Sequence, residues 1–144
     1  MNDYDPNQKA RDLGVVTLLL RLAIGMLFLF AGAGKFLSGY PAFVKWMVDT
    51  MTAKTWLPAF ALYPYAGALP FIEVAVGALL IAGLFTRPVL FGTGLLLISL
   101  AFGKVLTQEY DVVGTNINYV FITAVAYYCS RSDPYSLDAL LKAR

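Results

Sequence analysis

The stretch YAGALPFIEVAVGALLIAGLF, from Tyr65 to Phe85, constrains this chain more than any other. Its one acidic or basic residue is Glu73. A run this long and this apolar predicts a membrane-spanning helix, because a hydrocarbon core roughly 30 Å thick takes about 20 helical residues. A carboxylate at the centre of such a span costs roughly 2.5 kcal/mol or more. Glu73 must therefore be protonated, paired, or turned toward a wet or protein-lined cavity.

Three further apolar runs of similar length predict three more spans. We place the four at about 13–36, 65–85, 88–107 and 112–129. Only 14% of the residues are charged, against about 25% in soluble domains, which agrees with an integral membrane protein. The expected fold is all-α: a four-transmembrane-helix bundle over residues 13–130. A polar tail precedes it (1–12) and a second tail with a short surface helix follows (131–144). Asp12 is positioned to cap the first span, Pro88 to begin the third, and Asp133–Pro134 to begin the surface helix. Between the first two spans, Phe43, Val44, Met47, Val48 and Met51 recur on one helical face. Lys45, Asp49 and Thr52 take the other, which predicts a short amphipathic helix at the membrane interface. Trp46, Trp56, Tyr40, Tyr63 and Tyr65 gather there, as aromatics do at headgroup level. Gly25, Gly32 and Gly34 supply small residues for close helix packing.

Several function classes drop out. The chain has no histidine, which removes His-ligated haem, copper and most catalytic zinc sites. Its single cysteine, Cys129, permits no intrachain disulfide and no C-x-x-C pair; we read it as a small buried apolar residue. Basic residues are scattered, so nucleic-acid binding has no support. The string AGAGKF lacks phosphate-loop spacing and lies in a span. The start has no cleavable signal pattern. With the N-terminus inside, Lys9, Arg11, Arg87, Arg131, Lys142 and Arg144 fall on the inner side, and Lys35, Lys45, Lys54 and Lys104 on the outer. This bias predicts both termini in the cytoplasm.

Laid side by side, the spans bring Glu73 and Asn118 to similar depth, with the polar Thr115, Asn116 and Tyr119 nearby. Lys35 and Lys104 lie near the outer rim, and Arg21 lies on the inner side with a long reach. Three readings follow. Arg21 and Glu73 form a buried ion pair that only holds the bundle. Or Arg21, Lys35, Glu73, Lys104, Asn118 and Tyr119 line an outer-half pocket for an amphipathic ligand such as a quinone. Its head would bond to Asn118 or Lys104, and Glu73 would relay protons. Or Glu73 belongs to a proton or solute path.

The strings RLAIGMLFLFAGAGKF, with Arg21 and Lys35, and PFIEVAVGALLIAGLFTRP, with Glu73, Gly77, Gly83, Thr86 and Arg87, together resemble the DoxX family, which includes DoxD-like relatives. The resemblance implies a four-helix bundle in a prokaryotic inner membrane, beside redox enzymes. Such enzymes include thiosulfate:quinone oxidoreductase and membrane oxidoreductase complexes that handle thiol stress. It implies at most a subunit of a quinone-linked oxidoreductase, with no redox centre of its own; a bound quinone or a partner's cofactor would carry electrons. Expected partners are the bilayer, bound lipid, other membrane subunits or further copies of the chain. The alternative is a non-catalytic scaffold that stabilises a larger complex by helix packing.

Overall fold

The computed structural model describes residues 5–142; residues 1–4 of the polar tail, and Arg144 in the charge count, lie outside it. Its elements in order are α1 (Pro6–Leu37), α2 (Tyr40–Lys54), α3 (Ala59–Ala82), α4 (Thr86–Leu106), α5 (Tyr110–Cys129), a 3-10 turn (Ser130–Ser132) and α6 (Leu137–Lys142). No strand occurs among the described residues. Four helices, α1, α3, α4 and α5, are long and apolar enough to cross a membrane.

Several helix ends differ from the sequence reading, each for a local chemical reason. Asp5, not Asp12, caps α1: its carboxylate accepts from the Asn7 N–H at 3.0 Å, and Pro6 fills the first helical position. α3 begins at Ala59, so Pro64 lies inside the helix rather than before it, as Pro70 also does. It ends at Ala82 because Gly83 turns left-handed (φ 71°), and the Leu84 N–H closes back on the Leu79 carbonyl at 3.0 Å. α4 starts at Thr86, two residues before Pro88. The α6 cap is Ser136, whose hydroxyl accepts from the Ala139 N–H at 3.2 Å; Asp133 is used elsewhere.

α1 packs most closely on α3 and α4 on α5, and contacts of α1 with α5 and α3 with α4 close the ring. The main core is Ile24, Phe28, Leu80, Leu90, Leu97 and Ala126. α2 lies against α3 at the end of the bundle away from the termini, burying Val48 against Leu62 and Ala66. Lys45, Asp49 and Thr52 stay exposed on its opposite face. Outside, Phe30, Phe60, Phe121 and Tyr128 stand exposed as a lipid-facing surface requires. Cys129 is buried and free.

Candidate functional site

The α1–α3 seam sets the site. Gly25 lies against Ile81, Gly77 against Leu29, and Gly32 against Pro70 and Val74. A Cβ on Gly77 would stand 2.5 Å from the Leu29 nitrogen, and one on Gly32 2.8 Å from the Pro70 carbonyl. The two backbones therefore touch, which only glycine permits. Gly34 meets nothing and takes no part in the seam.

In this antiparallel register Glu73 falls beside the Ala31–Lys35 turn of α1. The Lys35 ammonium meets the Glu73 carboxylate at 2.6 Å. Lys35 also donates to the Ala31 carbonyl and lies over the Phe43 ring. The expected Arg21–Glu73 pair does not form. Arg21 and Lys35 stand fourteen residues apart on one helix, roughly 20 Å along its axis, so both cannot reach one carboxylate. Arg21 lies instead at the carboxyl end of α3. It donates to the carbonyls of Leu80 (2.9 Å) and Ile81 (3.1 Å) in the last turn, where Leu80 otherwise has only a long 3.3 Å bond from the Gly83 N–H. It donates to Tyr135 O at 2.6 Å and pairs with Asp133 at 3.3 Å. Arg21 is thus a fastener between α3 and the C-terminal segment.

At the far end Lys104 meets Glu109 at 2.6 Å, and Lys54 lies 3.9 Å from the same carboxylate. The Lys104 hydrogen bond, and then that of Thr107, holds the Glu109 carboxyl below its ordinary value. Between the two pairs lies a pocket of about 270 Å³, lined by Lys35, Trp46, Glu73, Lys104, Glu109 and Asn116 among others. Glu73 is almost fully buried in its wall (5% exposed), whereas Lys35 keeps 22% of its surface open. A second pocket of about 280 Å³, mostly apolar, shares Met47, Met51, Leu100 and Lys104 with the first. At its wall Tyr65 and Ser99 meet at 2.8 Å. Ser99 spends its proton on the Leu96 carbonyl, so Tyr65 is the donor.

Asn118, expected in the pocket, is exposed on the outside of α5; Asn116, two residues earlier, faces in. Two residues are about 200° of helix, so the pair cannot share a face. Tyr119 packs against the main core instead of the pocket. Glu109 and Asp133 have no ion-pair role in the sequence reading, where Asp133 serves only as a helix start. Glu109 had a signal in its five-residue spacing from Lys104 across a tight turn. Asp133 had none. Among the described residues, no group of histidine, cysteine, aspartate or glutamate side chains could hold a metal ion.

Residues 16–104, more than half of the chain, match the family model described as DoxX. The chain belongs to the DoxX family. The match takes in Arg21, Lys35, Glu73 and Lys104 and stops before α5, so Glu109, Asn116 and Asp133 lie outside it. No curated protein and no solved structure matches the chain. A DoxX membership of this extent establishes a small multi-pass membrane protein, with four apolar helices in contact with lipid.

Proposed function

We propose that this DoxX protein is a subunit of a membrane oxidoreductase or electron-transfer assembly, and that it holds a quinone-class ligand in the paired far-end pockets. The supporting observation is the Lys35–Glu73 pair in the wall of an open pocket that carries several charged and polar groups and continues into a more apolar one. An amphipathic ligand needs both chambers: an apolar one for its tail, and a polar one with few, well-placed groups for its head. Lys35 or Lys104 would donate to a ring carbonyl, and Asn116 is close by to do the same. Glu73, bonded to Lys35, would accept or return the proton that ring reduction requires. The electrons come from a partner's cofactor. The Lys and Arg distribution favours both termini in the cytoplasm, with the pocket in the outer half, and the family resemblance favours a prokaryotic inner membrane.

The test is Glu73→Gln in the native membrane. The ligand reading expects the assembly to be retained and quinone-linked turnover to fall about 100-fold, the lower end for loss of a general acid–base group. Full turnover in an intact assembly would leave the scaffold reading. The glycine seam and the Arg21 fastener favour that alternative, since both hold helices without touching the pocket.

A further inference from the structure

A cavity of about 550 Å³ lies at the opposite end, beside the termini. Arg11 of α1, Arg87 of α4, Arg131 of the 3-10 turn and Lys142 of α6 converge on it from four separate elements. Among the described residues none of the four makes an ion pair. Arg87 lies 4.9 Å over the Tyr127 ring, and Lys142 lies within electrostatic reach of Asp138. The two carboxylates in the wall are already engaged. Asp133 faces Arg21, and Asp138 accepts from the Phe85 and Thr86 N–H groups at 2.9 and 2.8 Å. Thr86 is 3% exposed, and its hydroxyl lies in this wall beside the Asp138 carboxylate. The cavity is a cationic bowl with a polar floor.

Its rim decides the ligand. Leu137, Leu140 and Leu141 of α6 are 40%, 63% and 64% exposed, and Phe85 is 66% exposed. Apolar side chains standing out beside a basic bowl belong at the boundary between acyl chains and headgroups. We propose that this cavity binds the phosphate-ester headgroup of an anionic membrane lipid, with Arg11, Arg87, Arg131 and Lys142 as its recognition groups. The acyl chains would run down past Phe85 and the α6 leucines. This site is independent of the far-end pocket and stands or falls without it.

The test uses the full chain in detergent, with native mass spectrometry of retained phosphatidylglycerol against phosphatidylcholine of identical acyl chains. The expected result is preferential retention of phosphatidylglycerol, falling about five-fold for each charge removed in Arg131→Gln and Lys142→Gln. Arg11→Gln on α1 provides a variant outside the C-terminal segment, and Lys45→Gln at the far end should change nothing. Equal retention of the two lipids, or retention unchanged in all three variants, would overturn the proposal. So would an equal loss in Lys45→Gln, which would show bulk charge at work. Displacement of the lipid by millimolar inorganic phosphate would assign the bowl to a soluble anion and overturn it too.

Discussion

Arg21 donates to the Tyr135 carbonyl at 2.6 Å, although 114 residues separate them. The same guanidinium holds the last carbonyls of α3 and faces Asp133, so one buried side chain joins α1, α3 and the C-terminal segment. Burial raises the Asp133 carboxyl above its ordinary value, and the Arg21 charge opposes that shift without cancelling it.

Arg21→Met should therefore be severely destabilising, by about 3–5 kcal/mol, because it strands a buried carboxylate and several carbonyls. Asp133→Asn should cost less, since Arg21 keeps three carbonyl partners. Thermal melts in detergent compare the two; a larger loss in Asp133→Asn would contradict this account.

Asp138 joins α6 to the start of α4. Burial pushes its carboxyl up, but the N–H groups of Thr86 and Phe85 together outweigh that and hold it below the ordinary value. An acid whose pKa is lowered by folding adds stability above its unfolded pKa and loses it as pH falls through the folded value. Asp138→Ala should cost about 1 kcal/mol at neutral pH, the usual worth of such a cap. The difference from the unsubstituted chain should shrink on acidification below the ordinary carboxylate range. A gap that widened there would reverse the sign.

Gly77→Ala places a methyl group against the Leu29 backbone, where nothing can yield without moving α1. We expect a loss of about 1–3 kcal/mol, the cost of overpacking. Gly92→Ala and Gly34→Ala meet open space and should be neutral or mildly stabilising. Parallel melts of the three proteins check the ranking.

Lys35 and Glu73 can be separated by a double-mutant cycle. Lys35→Met leaves Glu73 buried and unpaired, and should cost about 3 kcal/mol, the low end for a pair with one partly open member. Adding Glu73→Leu should recover much of that loss. Simple additivity of the two losses would mean that the ion pair contributes no coupling.

The sequence by itself determined the four spans, the amphipathic α2 and the family, because length, apolarity and period are local properties of the chain. It also showed that Glu73 needed an answer. Which cation answers it was decided by the glycine seam, whose register sets Glu73 beside Lys35 and carries Arg21 to the carboxyl end of α3. The glycines were visible in the sequence, but the partner of each was not, since apolar helices offer several seams of similar composition. The choice of Asn116 over Asn118 depended on the rotation of α5 about its axis, which packing against α4 and α1 fixes. Asp133 was beyond reach because a tail residue acquires meaning only when the chain folds back over a buried guanidinium.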